Sequence, residues 1–223
     1  MKNVIEAVVV AGGSGKRMGD VYKQFSLIDG KQLFLYPVEK FLEYGVKKVI
    51  LVVPKEKVSE IKEKAALFKE KIKVVPGGKK RQDSVYNGFK ETSEEIILIH
   101  DAVRPFVSIE LIDRVAQGVK EFGVCAPGIP VRDTLKIFKN DRILWTRART
   151  NLLQIQTPQG FRRDILESIV SLFSAYSFTD ELSFAEKLNY DIKWVQGDPF
   201  NIKITYPEDL KLAQVIAGYK KGE

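Results

Sequence analysis

The feature of this sequence that most restricts its fold is the alternation of short apolar runs with amphipathic helical stretches. Runs such as VIEAVVV and KKVILVVP have the length and the β-branched composition of buried strands. The stretches between them, for example LFLYPVEKFLEYG, carry apolar residues at helical spacing. Strand, helix and strand in repetition predict right-handed βαβ units, and therefore an α/β fold with a mainly parallel sheet covered by helices on both faces.

Length and composition favour one domain over residues 1–223. Of these residues, 44% are hydrophobic and 29% charged, which is ordinary for a soluble globular protein. No apolar run approaches the length of a membrane span and the N-terminus does not resemble a signal peptide, so we expect a cytoplasmic protein. With one cysteine, Cys125, and one histidine, His100, we expect neither a disulfide nor imidazole or thiolate catalysis.

The net charge of +7 is compatible with nucleic acid, with anionic small molecules or with a lysine-rich surface. Much of the excess lies in stretches such as KEKVSEIKEKAALFKEKIK, where Glu and Lys intermix at helical spacing, as is typical of a solvated helix face. A nucleic-acid-binding function would rest on the net charge alone. We expect neither nucleic acid nor a membrane as a partner.

A glycine-rich loop, VAGGSGKRMGDVYKQF, follows the first predicted strand. Gly12, Gly13 and Gly15 lack side chains, so successive backbone N–H groups can approach an anion closely. Arg17 and Lys23 add positive charge. Because open α/β sheets bind ligands at the carboxyl ends of their strands, the loop predicts a phosphate site. The alternative is a glycine-rich turn with solvated cations.

This loop matches neither of two common phosphate-binding motifs. A P-loop needs a glycine at the position of Val10 and a serine or threonine at the position of Arg17. The dinucleotide-binding fingerprint needs a third glycine where the chain has Met18. The sequence therefore predicts a long, irregular loop of a different kind.

A carboxylate stands at the end of another predicted strand, IILIHD. Asp101 is well placed there to hold Mg²⁺, which prefers oxygen ligands and phosphate partners. Arg104 follows closely and could bind an anion. The alternatives for Asp101 are a helix N-cap or a salt bridge.

Two further stretches carry weaker signals. In GGKKRQDSV, Gly77, Gly78, Arg81 and Ser84 could form a pocket wall for a base or a sugar, or a plain loop before a helix. In NIKIT, Lys203 lies within a predicted apolar strand, where a lysine is costly unless it pairs with an anion or opens onto a cleft. An edge strand with its lysine in water is the alternative.

Residues 131–155 depart from the alternation. Two short β-favouring runs flank KNDR, whose Asn140 and Asp141 are typical of a turn, so we predict a β-hairpin inserted in the domain. The hairpin either packs on its own domain or acts as an arm in a two-fold dimer. The apolar side chains that need a partner are Ile137, Phe138, Ile143, Leu144 and Trp145.

The ordered motifs AGGSGKRM, KQF, GGKKRQDSV, HDAVRP, PVRDTLK, TPQGF, TDE and NIKIT extend over nearly the whole chain. As a set they resemble the 2-C-methyl-D-erythritol 4-phosphate cytidylyltransferase family of isoprenoid biosynthesis. The resemblance implies a Rossmann-like three-layer nucleotidyltransferase fold, and a homodimer in which each hairpin arm, residues 131–155, reaches the partner's site.

The resemblance also implies three groups of site residues. The catalytic residues are Arg17, Lys23 and Lys203. The CTP-binding residues are Ala11, Gly12, Gly13, Gly15, Gly78, Ser84, Ala102 and Asp101, of which Asp101 also holds Mg²⁺ or another divalent cation. The residues that bind the polyol phosphate are Arg104, Thr134, Arg149, Thr157, Thr179 and Lys203.

The implied reaction is transfer of CMP from CTP to 2-C-methyl-D-erythritol 4-phosphate, with release of pyrophosphate. A ribitol-5-phosphate cytidylyltransferase would use the same cations, and a sugar-phosphate nucleotidyltransferase is a more distant alternative. A nucleotide-binding regulatory module without turnover is the alternative from another class. The full set of Arg17, Lys23, Asp101 and Lys203 argues against such a module, because a sensor need not surround the α-phosphate.

Overall fold

The computed structural model describes residues 4–13, 22–65, 68 and 71–221. Within them the strands are β1 (Ile5–Val10), β2 (Leu27–Ile28), β3 (Lys31–Gln32), β4 (Lys48–Val53), β5 (Ile72–Pro76), β6 (Ile96–Asp101), β7 (Val124–Pro130), β8 (Leu135–Lys139), β9 (Arg142–Arg147), β10 (Leu153–Ile155), β11 (Gln159–Arg162) and β12 (Lys193–Gln196). The α-helices are α1 (Leu35–Tyr44), α2 (Val58–Ala65), α3 (Arg81–Phe89), α4 (Ile109–Phe122), α5 (Arg163–Ser171), α6 (Leu182–Lys187) and α7 (Pro207–Lys221). Among the described residues, none of these helices is both long and apolar enough to cross a membrane.

The central sheet follows the order β10-β7-β11-β6-β1-β4-β5, and β12 also pairs with β7. The pairs β6–β1, β1–β4, β4–β5 and β7–β12 are parallel, whereas β10 and β11 run antiparallel to their neighbours. β10 pairs with residues 128–130 of β7 and β11 with residues 124–125, on the side opposite β12, so the two form one interrupted antiparallel strand whose register shifts by two residues between them. The prediction of a mainly parallel sheet is confirmed.

Helices cover both faces of this sheet because successive side chains of each strand point to opposite sides. On one face, Ala7 and Val9 of β1 belong to the core that includes Phe41 of α1 and Leu111 of α4. On the other face, Val8 of β1 belongs to the core formed with α3, α5 and α6. The result is the three-layer arrangement that the alternation of strands and helices predicts.

One predicted strand, Ile202–Ile204, is absent from the described structure. This stretch is irregular, and Ile204 donates a single backbone hydrogen bond to Val103, 2.9 Å long, without a continuing ladder. The apolar residues are explained by a small core beside α7, in which Ile204 is fully buried. The apolar run that favoured a strand therefore reflects burial of an extended segment that leads into α7.

The predicted hairpin forms from β8 and β9, which make a two-stranded sheet of their own with the turn at Asn140. Its apolar side chains stay exposed: Phe138 by 71%, Ile143 by 67% and Trp145 by 56%. Packing on its own domain, one of the two alternatives, does not cover these side chains. A single chain leaves this apolar surface in contact with water.

Candidate functional site

The carboxyl ends of β1, β5 and β6 border one cleft of about 430 Å³. This is the edge of the sheet at which α/β proteins bind ligands. The described residues that line the cleft are Val10, Ala11, Gly12, Gly13, Lys23, Gln24, Gly78, Lys79, Lys80, Arg81, Ser84, Asp101, Val103 and Lys203. Residues predicted from four separate sequence stretches therefore meet in one place.

The first loop is held against the sheet by Gln24. The Nε2 of this buried side chain donates to the carbonyl of Ala11 at 2.6 Å and to that of Gly13 at 3.0 Å. The neighbouring residue, Lys23, thereby lines the cleft. The predicted residues Gly15 and Arg17 lie outside the described residues.

The first loop and the GGKKRQDSV stretch lie in close contact. The backbone N–H of Gly78 donates to Oγ of Ser84 at 3.1 Å, and a Cβ added at Gly12 would come within 3.0 Å of the same oxygen. A Cβ at Gly78 would lie 2.1 Å from Cβ of Asp83, which is a clash. Close approach thus requires the glycine at position 78 and leaves little room for a side chain at position 12, and both glycines leave backbone as one wall of the cleft.

Asp101 lies between two cations at the floor of the cleft. Its Oδ1 is 3.2 Å from Nε of Arg81 and its Oδ2 is 2.7 Å from Nζ of Lys203. Burial raises the pKa of this carboxyl, but the attraction of Arg81 and Lys203 outweighs burial and holds the pKa well below its ordinary range. Asp101 is therefore ionised, and the salt bridge that the sequence left open is present.

These contacts also answer the question that Lys203 raises. Its side chain both opens onto the cleft and pairs with an anion, so its charge is compensated. Arg104, by contrast, directs its guanidinium at backbone: Nη1 donates to the carbonyl of Asn201 at 2.9 Å. Arg104 thus supports the segment that carries Lys203, and its predicted role in phosphate binding stays a prediction.

The donor set at Asp101 fits one mode of Mg²⁺ binding. The described residues contain no group of three or more His, Cys, Asp or Glu that could hold a metal by themselves. Mg²⁺ is commonly bound by one or two carboxylates together with substrate phosphates and water. The single carboxylate of Asp101 fits that mode, in which the nucleotide supplies most of the remaining ligands.

A buried polar layer lies beneath the cleft. The backbone N–H of Asp101 donates to Oγ1 of Thr157 at 3.1 Å, and this hydroxyl lies 3.0 Å from Nδ1 of His100. The other ring nitrogen of His100 lies 3.0 Å from the carbonyl oxygen of Arg104. Ala102 is fully buried, and its N–H donates to Val10 at 3.0 Å. Thr157 and Ala102 therefore hold the floor in position from below.

His100 provides a testable pH response. Burial lowers its pKa from 6.5 to about 4, so the folded protein keeps this ring neutral where the unfolded chain binds a proton. Stability should therefore fall as the pH drops from 6.5 toward 4, with a histidine contribution of about 3 kcal/mol. Since His100 is the one histidine of the chain, its ring proton resonances can be followed by NMR without assignment.

In the folded protein these resonances should not titrate between pH 7 and 5. In urea they should titrate with a midpoint of about 6.5. A folded-state midpoint equal to the one in urea would contradict the buried neutral ring.

Besides Ala102, Arg104 and Thr157, which lie beneath or beside the cleft, three further predicted residues do not line it in the described structure. Thr134 and Arg149 flank the hairpin and are exposed, with Nη1 of Arg149 directed at the carbonyl of Arg132. Thr179 is also exposed and comes two positions before the buried Glu181. Their roles in binding a second substrate stay predictions.

Sequence reasoning missed several supporting residues. Gln24, Gln156 and Glu181 are all buried polar residues whose partners are distant in sequence. Glu181 lies in TDE, a motif in which the family resemblance points to Thr179 alone. One sequence gives no signal that distinguishes a buried glutamine or glutamate from a solvated one.

The lining is strongly cationic. Lys23, Lys79, Lys80, Arg81 and Lys203 all border the cleft. Among the described lining residues they face a single carboxylate, that of Asp101. Such a cleft attracts polyanions and stabilises negative charge on them, as phosphate esters require.

Comparison with known proteins adds an independent finding. The family model IspD, 2-C-methyl-D-erythritol 4-phosphate cytidylyltransferase, matches residues 5–218. A curated protein of that name from Clostridium botulinum is 40% identical over 96% of this chain and 99% of its own length, and one from Aquifex aeolicus is 37% identical over 95% and 97%. The crystal structure of 4-diphosphocytidyl-2C-methyl-D-erythritol synthase from Anaerococcus prevotii superposes with a TM-score of 0.85 at 26% identity, covering 98% of this chain and 100% of that one.

Proposed function

The chain belongs to the IspD family of 2-C-methyl-D-erythritol 4-phosphate cytidylyltransferases, and we propose from this premise how its cleft works. The protein is a nucleotidyltransferase of isoprenoid biosynthesis that transfers CMP from CTP to 2-C-methyl-D-erythritol 4-phosphate and releases pyrophosphate. The observation that carries the mechanism is the meeting of Lys23, Arg81 and Lys203 around one cleft at the end of β6.

The nucleophile of this reaction needs no general base. The second pKa of a phosphate monoester is about 6, so the polyol phosphate is largely dianionic near neutral pH. One of its oxygens attacks the α-phosphorus of CTP and the bond to the β-phosphate oxygen breaks. His100 and Cys125 are both fully buried, which agrees with a reaction that uses neither side chain.

The main obstacle is the repulsion between two anionic substrates. Lys23 and Lys203 border the cleft, where they can neutralise the α-phosphate as negative charge develops on its oxygens. By its resemblance, Arg17 acts on the β- and γ-phosphates. These fixed cations bring the reactants together and stabilise the transition state without reorganising during the reaction.

Asp101 would hold Mg²⁺ together with phosphates of CTP. The bound ion would neutralise charge on the triphosphate. Lys203 is paired with Asp101 in the structure, so this chain keeps the lysine at the site before substrates arrive. Gly78 and Ser84 would bind the cytosine from the opposite wall, with Gly12 and Gly13 close to the phosphates.

The experiment that tests this function measures pyrophosphate release from the purified protein. Each of the four ribonucleoside triphosphates is combined with 2-C-methyl-D-erythritol 4-phosphate, ribitol 5-phosphate and a sugar 1-phosphate, with and without Mg²⁺. Release should require CTP and the methylerythritol phosphate. A preference for ribitol 5-phosphate, or no release with any pair, would overturn the assignment.

We also propose that the protein is a homodimer held together by its hairpin arms. The exposed side chains of Phe138, Ile143 and Trp145 form an apolar surface that a second copy would cover. The arm of one chain would then present Thr134 and Arg149 to the cleft of the other. A cytoplasmic location also stays a prediction.

Replacing Ile143 by aspartate should shift this dimer toward monomer, because the charge would be buried in an apolar contact. Sedimentation velocity over a range of protein concentrations measures the change. Leu27→Asp is a suitable control, because Leu27 is 58% exposed and lies outside the arm. An Ile143→Asp protein that sediments as the wild type does would count against the arm contact.

A further inference from the structure

Arg81 joins three parts of the chain that border or approach the cleft. It is the first residue of α3 and so continues the wall formed by Gly78 and the nearby Ser84. Its Nε lies 3.2 Å from Oδ1 of Asp101, at the end of β6. Its Nη1 donates to both carboxylate oxygens of Glu181, at 2.6 and 2.7 Å.

The contact with Glu181 connects the cleft to a segment that contributes none of its described lining residues. Glu181 is fully buried and directly precedes α6. The carboxylate of Asp180 accepts hydrogen bonds from the N–H and Oγ of Ser183, at 3.2 and 2.9 Å. The start of α6 is therefore held by Asp180 through Ser183 and by Glu181 through Arg81. Thr179, expected at the polyol phosphate, belongs to this same short segment.

Stability alone does not explain this arrangement. A buried carboxylate paired with an arginine is often no more stable than a well-packed apolar pair of similar volume. The guanidinium is well suited for another purpose, since its planar fork can hold two carboxylates at once in fixed directions. A lysine would carry the same charge but could not make both contacts with this geometry.

We propose that Arg81 is a positioning residue that couples the two substrate sites of the cleft. Through Glu181 it fixes the segment of Thr179, and through Asp101 it fixes the carboxylate that also holds Lys203. The nucleotide wall, Asp101 and the polyol-phosphate side are thereby held in one arrangement. This inference rests on the proposed function, because it assigns the two sides of the cleft to its two substrates.

The test measures how strongly one substrate raises the affinity for the other. Calorimetry gives the affinity for 2-C-methyl-D-erythritol 4-phosphate with and without α,β-methylene CTP, an analogue that cannot be cleaved at the α-phosphate. Coupling between two sites typically amounts to roughly 5- to 150-fold. For the wild type we expect a value in that range.

Two variants separate positioning from folding. Arg81→Lys keeps the charge and loses the fork, and Arg81→Met with Glu181→Gln removes both charges so that no buried carboxylate is left unpaired. Both should reduce the coupling toward 1 and lower kcat more than they raise KM for CTP. Thermal unfolding is measured in parallel, and the double variant should remain folded.

Arg163→Met is the matched control. Arg163 also donates two hydrogen bonds, to the carbonyl of the half-buried Glu94 and to Oγ1 of the buried Thr92, each at 2.8 Å, but it lies outside the cleft lining. It should leave the coupling unchanged. The proposal is overturned if the Arg81 variants keep wild-type coupling, or if the control loses it equally. Absence of CMP transfer by the wild type would instead overturn the proposed function.

Discussion

Lys23→Ala is expected to lower kcat for CMP transfer by on the order of 10²-fold or more, because a preorganised charge next to the reacting phosphate is lost. Lys23 borders the cleft beside Gln24, whose side-chain amide donates hydrogen bonds to the carbonyls of Ala11 and Gly13. The truncation removes the charge and leaves that amide in place. The measurement is steady-state pyrophosphate release, together with circular dichroism to verify the fold.

Lys47→Ala is a suitable control for this substitution. Lys47 pairs with Glu94 on an exposed part of the surface, and its side chain is 50% exposed. It should leave kcat unchanged, since exposed ion pairs contribute little to stability and Lys47 does not line the cleft. Near-normal turnover of a correctly folded Lys23→Ala protein would remove Lys23 from the mechanism.

Asp101→Asn should damage both catalysis and stability. The amide loses the charge that pairs with Arg81 and Lys203, so we expect a loss of roughly 1–3 kcal/mol of stability, limited by the partial exposure of Lys203. The activity should fall by on the order of 10²-fold, because the carboxylate expected to hold Mg²⁺ is gone. Urea unfolding and a Mg²⁺ titration of pyrophosphate release measure the two effects.

Asp164→Asn provides the comparison for the stability effect. Asp164 pairs with Arg162 at 2.6 Å, but its side chain is 63% exposed. This variant should lose less than about 1 kcal/mol and retain full activity. Equal stability losses in the two variants would mean that the Asp101 cluster is as weak as a surface pair.

Helix α4 illustrates what local sequence determines well. The alternation of strands and helices predicts a helix over Ile109–Phe122, and α4 has these same bounds in the structure. Oγ of Ser108 accepts from the N–H of Leu111 at 3.2 Å, and Gly123 ends the helix with a positive φ of 82°. These signals lie within a few residues of the helix ends, so a single sequence contains them.

The segment around Lys203 illustrates what local sequence does not determine. Its apolar neighbours predict a strand, but burial beside α7 and the pairing with Asp101 decide its conformation. The carboxylate and the amine come together because β6 ends beside this segment in the folded chain. Alternation of strands predicted the correct edge of the sheet, yet the order of the strands decides which residues meet there.

The same limit explains why the sequence does not identify Glu181 as the partner of the cleft residue Arg81. Its partner Arg81 is far away in sequence, and TDE resembles an ordinary polar turn before a short helix. Gly78 was more accessible to prediction, because a glycine pair after a strand suggests close backbone packing on its own. A backbone feature such as this glycine pair can be predicted from neighbouring residues alone. An ion pair between residues far apart in sequence can be recognised only once the tertiary structure is known.

The interrupted strand formed by β10 and β11 connects the hairpin to the floor of the cleft. The chain leaves β9, enters β10 beside β7, and reaches Thr157, whose hydroxyl receives the N–H of Asp101. It then continues as β11 directly against β6. The arm and the residue beneath Asp101 are therefore joined by a short, continuous stretch of backbone that pairs with β7, so the periphery and the centre of the molecule share one covalent connection.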